Sequence, residues 1–342
     1  MVDHPPTPPS EKTMTIAQAA AAYLDSVALA RSQNTARTYQ NGIFSFLHCL
    51  DISGLDPNTS SILSLHEDTI AWYAAYLKDL APTTERLYLT AATGFFEYLA
   101  GENILATNLV RIRLLIHQRA RRPGVRLPQF PADSIDKIID NILTTRNIDD
   151  LSASERLRCL RDRAFLLTLA DTGLRVHEAC ALRRGDLDWM NGRAQVIGKG
   201  NRQDIVRFTQ RVETALKEYL AARSSFDGSS GKALSSQPLF ARHDKGAGKK
   251  IKPITTATGR NIVTDAVRTI LGEDAVGTIT PHSFRHYFVT RVLRSSNNLK
   301  LAQELARHRN IAVTQRYAHL NDAELDKGYR QAIEKNGQAG EE

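Results

Sequence analysis

Apolar side chains over the first hundred residues recur at three- and four-residue intervals, the spacing of helices that bury one face. Thr15 and Gln18 form a capping box that opens a first helix, with Ile16, Ala20, Tyr23 or Leu24, and Val27 on one side. A second helix is predicted over about 35–50, with Tyr39, Ile43, Phe46, Leu47 and Leu50 in phase. A third is predicted over about 67–80, carrying Ile70, Trp72, Tyr73 and Leu77. Pro82 suits a first helical turn and starts a fourth, with Leu87, Ala91, Phe95 and Leu99. Short helices with one apolar face each stabilise one another as a small bundle, so their aromatics read as core rather than as platforms for stacked bases. The bundle is expected over 14–109, behind a proline-rich polar tail at 1–13.

The periodicity fades in 110–130, which is arginine-rich and then carries Pro123-Gly124 and Leu127-Pro128, the composition of a linker. Helical spacing returns over about 133–143 and 154–172, and Gly173 stops the second of these as a residue just beyond a helix end. Two strands are predicted at 194–197 and 205–208, joined by Gly198-Lys199-Gly200-Asn201-Arg202-Gln203 as a hairpin turn. The Ser/Gly/Lys-rich stretches 223–237 and 243–252 read as exposed loops around the apolar Pro238-Leu239-Phe240. Helices follow over 256–271 and from 282 onward. A last one is expected at 321–335, capped by Asn321 with Glu324 at its third position and striped by Leu325, Tyr329 and Ile333. Residues 131–335 therefore form a mixed α/β, mainly helical domain, and 336–342 a tail.

Length and composition add bounds rather than detail. At 342 residues the chain suits about two domains, and 42% hydrophobic with 24% charged residues is ordinary for a soluble protein. No apolar stretch approaches a membrane span, and the N-terminus lacks the apolar core of a signal peptide. Cys49, Cys159 and Cys180 are odd in number and lie in helical patterns, as expected of reduced core thiols in a cytoplasmic protein. The net charge of +8 favours a polyanionic partner. Arg111, Arg113, Arg119, Arg121, Arg122 and Arg126 crowd the linker without a single carboxylate among them, as a segment lying along a phosphate backbone would.

Candidate chemistry sharpens that picture. In order along the chain come Thr172-Gly173-Leu174-Arg175-Val176-His177-Glu178, Gly198-Lys199-Gly200, His282-Ser283-Phe284-Arg285, and Ala306-Arg307-His308 ahead of Tyr317. A lone His-x-x-Arg or Gly-Lys-Gly carries almost no information; the order and separation of the whole set do. Two arginines, a lysine, two histidines and a tyrosine suit a tyrosine oxygen attacking a phosphodiester held by cationic side chains. No cluster has metal-ligand spacing, and neither metal nor cofactor is called for.

This ordered set resembles the tyrosine recombinase (phage integrase, Xer-like) family, and the resemblance runs from about Thr15 to Lys335, including the Asn34-Thr35-x-x-x-Tyr39 start of the second helix. It implies an N-terminal all-α, SAM-like core-binding domain and a C-terminal mixed α/β catalytic domain that together clamp duplex DNA. It also implies site-specific recombination through a 3′-phosphotyrosyl intermediate, with four protomers on two recombination sites. Carried onto this sequence, Arg175 and Arg285 grip the nonbridging oxygens, Glu178 orients Arg175, and His308 donates to the phosphate. His282 is a general acid/base candidate, Lys199 protonates the leaving 5′ oxygen, Tyr317 is the nucleophile, and Arg202 joins the linker arginines in DNA binding. The helix at 321–335 would dock on a neighbouring protomer, with packing in cis as the alternative. One departure stands out: Arg307 replaces the family's glycine before His308, which implies either a small backbone shift or a phosphate contact. The competing functions are type IB topoisomerase-like nicking and religation, and a non-catalytic DNA-binding accessory protein of the same fold.

Overall fold

The computed structural model describes residues 14–121, 131–144, 151–198, 203–229, 231–244, 251–315, 317 and 330. Contacts divide the chain into Met1–Val125 and Arg126–Glu342.

In the first unit α1 (Ile16–Ala30), α2 (Gln33–Ile52), α3 (Asp68–Tyr76) and α4 (Pro82–Gly101) follow the expected order. Thr15 and Gln18 cap α1 reciprocally, and Pro82 occupies the first turn of α4. Ile16, Ile43, Phe46, Tyr73, Phe95, Phe96 and Leu99 are fully buried, and Phe46 meets Tyr73 edge-on at 5.1 Å between ring centroids. The phase of two faces differs from expectation. Trp72 and Leu87 are partly exposed, and α4 buries Leu89 and Ala92 as well as the expected Ala91, Phe95 and Leu99. Alanines and aromatics on adjacent stripes of α4 leave its apolar face broad, so periodicity alone fixes it poorly.

The arginine-rich stretch is a correction to the linker expected from residue 110. Leu109–Arg119 forms a helix, α5, capped by Asn108 and packed on α3 and α4 with Ile112 fully buried. Its counter-charges come from elsewhere in the bundle: Arg111 pairs with Asp68 at 2.8 Å and Arg113 with Glu97 at 3.0 Å. Arg121 donates its backbone N–H (2.9 Å) and Nε (2.6 Å) to Glu85, a fully buried carboxylate that Lys78 also reaches at 3.0 Å. Burial pushes the Glu85 carboxyl up, but the Arg121 and Lys78 donors outweigh it and hold the group below the usual carboxylate range. Arg122 and Arg126 lie outside the described residues.

The second unit begins with α6 (Ala132–Thr144), α7 (Ala153–Thr172) and the short α8 (Val176–Ala181). Strands β1 (Leu187–Asp188), β2 (Arg193–Ile197) and β3 (Gln203–Arg207) then make, among the described residues, an antiparallel sheet in that order. Ala194, Val196 and Val206 point into the core, and the β2–β3 register closes at Ile197 opposite Gln203, at the root of the hairpin. The chain continues through α9 (Gln210–Ala222), α10 (Ser224–Gly228), α11 (Thr256–Leu271), α12 (Pro281–Ser296), α13 (Leu299–Ala306) and α14 (Ile311–Gln315). Helix α7 runs through the middle, with Ala164, Phe165, Leu167 and Leu169 fully buried.

The stretch 223–237, expected as an exposed loop, is in part interior. Arg223 is fully buried and binds Asp227 (3.0 Å), the Tyr219 hydroxyl (3.0 Å) and the carbonyls of Pro238 and Leu239 (2.9 Å each). Polar composition signalled solvent here, whereas these polar groups satisfy one another inside. Leu325, Tyr329 and Ile333 of the expected last helix lie outside the described residues. Among those described, no helix is long and apolar enough to cross a membrane.

Candidate active site

Helix α7 ends at Gly173, whose φ of +58° lies in the left-handed region and where a Cβ would sit 2.5 Å from the Phe288 ring. Only glycine meets both conditions without strain. The turn it permits makes Arg175 the residue that caps α8. There the Arg175 backbone N–H donates to Glu178 Oε2 at 2.9 Å and its Nη1 to Oε1 at 2.8 Å. Glu178 is buried, so the guanidinium of the half-exposed Arg175 is held from the protein side.

Arg285, on α12, is 2% exposed and ties two helix ends together. Its Nη1 donates to the Gly173 carbonyl at 2.5 Å and its Nη2 to the Ala306 carbonyl at the end of α13. Burial, with the Arg175 and Arg307 cations nearby, pushes its pKa down to about 10, so it stays charged at neutral pH.

His282 and His286 follow each other by one turn on α12, with ring centroids 4.3 Å apart. His286 Nδ1 meets the hydroxyl of Tyr317, and the two rings lie 5.2 Å apart. His308 Nδ1 contacts Thr314 Oγ1 at 2.8 Å, and the Tyr317 N–H donates to the Thr314 carbonyl at 3.0 Å. Burial and the surrounding cations lower all three histidines. His282 falls below its ordinary value, while His286 and His308 are pushed down to about 4. They are neutral at pH 7, so each ring offers one donor and one acceptor.

Arg307 ends α13 with φ +57°, which explains why glycine suits this position; a side chain there costs about 1–2 kcal/mol. The side chain turns inward, 7% exposed, and its Nη2 donates to Glu178 Oε2 at 2.9 Å. His308 keeps its place through reciprocal bonds with Gln303: its N–H donates to the Gln303 carbonyl and its carbonyl accepts from Gln303 Nε2, both at 3.0 Å.

Of the residues singled out in the sequence, Arg175 thus caps α8 and Glu178 lies within it, His282 and Arg285 lie in the first two turns of α12, and His308 and Tyr317 follow the ends of α13 and α14. Lys199 and Arg202 lie outside the described residues, between β2 and β3 in the sequence. Sequence reasoning passed over His286, although its one-turn spacing from His282 was visible. It also passed over Thr314, Gln303 and the Arg307–Glu178 pair, which nothing local signals. Tyr287, beside the histidines in sequence, faces elsewhere, donating to Asp136 at 2.5 Å and accepting from Arg291 at 2.6 Å. Among the described residues, no three His, Cys, Asp or Glu side chains gather as metal ligands would.

The site can hold an oxyanion between guanidinium groups and bring a phenol with a proton acceptor against it. The phage integrase family profile matches residues 133–324. The tyrosine recombinase XerC of Herpetosiphon aurantiacus is 27% identical over 309 residues, covering 88% of this chain and 89% of that protein. XerC of Thermodesulfovibrio yellowstonii is also 27% identical, over 87% of this chain and 89% of its own. A crystal structure of the XerH site-specific recombinase in a post-cleavage complex with a palindromic difH substrate shares the fold, with a TM-score of 0.65 at 20% identity over 92% of this chain and 84% of that one. With a match spanning more than half its length and the site just described inside it, this chain belongs to the phage integrase family and is a site-specific tyrosine recombinase.

Proposed function

We propose that the chain cleaves and rejoins duplex DNA through a 3′-phosphotyrosyl intermediate on Tyr317. The observation that carries this reading is the meeting of the Tyr317 hydroxyl with His286 Nδ1 in the second unit, which also holds the anchored Arg285 and Arg175. In the first step Tyr317 Oη attacks phosphorus and its proton passes to His286 Nδ1. The bond from phosphorus to the 5′ oxygen breaks, and Lys199 gives that oxygen a proton. Arg175 and Arg285 neutralise the nonbridging oxygens as charge builds on them. With Nδ1 of His308 accepting the Thr314 hydroxyl, its Nε2 carries the ring proton and donates to the same phosphate; His282 supplies a second neutral donor. Rejoining is the reverse, with a 5′ hydroxyl as nucleophile, so bond energy is kept in the phosphotyrosine and no nucleotide cofactor is consumed.

The DNA-binding surface proposed includes Arg111, Arg113 and Arg119 on α5, with Arg122, Arg126 and Arg202. Arg121 is committed to Glu85 and is assigned to the bundle instead. Four protomers acting on two sites in the cytoplasm complete the reading; the resemblance supports the assembly, and the free thiols of Cys49, Cys159 and Cys180 suit a reducing compartment. The test is covalent capture on a random-sequence duplex library carrying nicks, followed by mapping of the DNA-linked residue. A covalent adduct through Tyr317 that is lost in Tyr317→Phe is expected; an adduct that survives this substitution sinks the assignment.

A further inference from the structure

We propose that Arg307 is a positioning residue of this reaction, a third guanidinium that shares Glu178 with Arg175 and adds positive charge where the scissile phosphate binds. The proposal rests on the reading above and deepens it for a residue that departs from the family's glycine.

The left-handed backbone at Arg307 gives no reason for an arginine, since glycine adopts it freely. Arginine is seldom fully interior unless paired, yet this side chain is more than nine-tenths buried. Its pairing is incomplete. Nη2 reaches Glu178, while Nη1 is buried and has no hydrogen-bond partner among the described residues. The one carboxylate it touches already takes two bonds from Arg175. Arg175, Arg285 and Arg307 lie close enough for each to act on the charge of another, with Glu178 and the more weakly coupled Asp204 of β3 as the acids felt there. Three buried or half-buried cations around so few carboxylates are an electrostatic deficit that an entering phosphodiester relieves. An unsatisfied charged donor within that cluster has the same complement.

The experiment uses the full chain and a duplex carrying the site recovered by covalent capture on the wild-type protein. Two scissile groups are compared in single-turnover cleavage: the phosphodiester, and a methylphosphonate in which a methyl group replaces one nonbridging oxygen and removes the charge. Arg307→Gly keeps the left-handed turn without strain, and its melting temperature is measured alongside. Its cleavage of the phosphodiester is expected to fall about 100-fold, the low end of losing one preorganised donor to a developing oxyanion. On the neutral methylphosphonate it should run close to the wild-type rate. Arg307→Lys, which keeps the charge but not the fork, should recover part of the phosphodiester rate. An equal loss on both substrates, or no loss on the phosphodiester, overturns the role of Arg307. Absence of any covalent adduct with the wild-type protein would instead overturn the recombinase chemistry on which the proposal stands.

Discussion

His286 Nδ1 meets the Tyr317 hydroxyl while the next turn of α12 toward its N-terminus presents His282. Burial and its neighbours push His286 down to about 4, so above roughly pH 5 the ring is neutral and can take the phenol proton. His286→Ala should therefore slow covalent adduct formation by about 100-fold at pH 7, the scale of a lost general base. The deficit should shrink at alkaline pH, where hydroxide competes with the ring for the phenol proton. Single-turnover cleavage from pH 5 to 10 measures this. A ratio to wild type that stays constant across that range would mean that His286 only shapes the site.

Stability should depend on pH through the same histidines. His286 and His308 bind protons at about 4 in the folded chain and near 6.5 when unfolded, so between those values the unfolded state holds more protons. Their contribution is fully present above about pH 6.5, declines as pH falls, and is gone below about 4. The melting temperature of the free protein should drop over that window, and His286→Gln, which cannot titrate, should flatten the drop. An identical pH profile for the variant would remove His286 from the explanation.

How much of this was legible in the sequence depends on the range of each interaction. Arg175 with Glu178, and His282 with Arg285, lie within one helical turn, so motif and chemistry can be read together. The partners that fix them cannot. Glu178 reaches Arg307 across 129 residues and Arg285 reaches the Gly173 carbonyl across 112. The charge of Arg111, Arg113 and Arg121 suggested solvent and phosphate, because Asp68, Glu97 and Glu85 come from other helices. The same blindness hid Ile112 as the anchor of α5 and Arg223 as an interior cation. Composition reports what a segment carries, not what folding sets opposite it.

Glu85 shows the cost of such a long-range pair. Arg121→Ala removes the Nε bond and the charge beside a fully buried carboxylate, although Lys78 and the residue 121 N–H remain. A loss of about 2–3 kcal/mol is expected, less than for a buried ion with no remaining partner. Urea denaturation of the full chain should show it in the transition of the first unit. Glu85→Gln in the Arg121→Ala background should recover part of the loss by removing the stranded charge. If Arg121→Ala is as stable as wild type but binds DNA with a shallower salt dependence, Arg121 belongs with the phosphate contacts after all.

Gly173 links the fold to the chemistry most directly, because its carbonyl receives Arg285 and its φ of +58° starts the turn to Arg175. Gly173→Ala meets two separate penalties. The left-handed conformation costs about 1–2 kcal/mol for a residue with a Cβ, and that Cβ falls 2.5 Å from the Phe288 ring, a clash that core overpacking makes worth about 1–3 kcal/mol. Relief requires the turn to shift, and the shift carries the carbonyl that holds Arg285 and the backbone that presents Arg175. The variant should therefore melt lower and also cleave more slowly per folded molecule, since a small misplacement of charge-stabilising groups is costly at the transition state. Adding Phe288→Leu removes the steric penalty but leaves the backbone one, so the double variant should regain part of the stability and part of the rate together. Were the rate to return fully while stability stayed low, Gly173 would matter to the site through packing against Phe288 alone and its backbone conformation would have no part in placing the arginines.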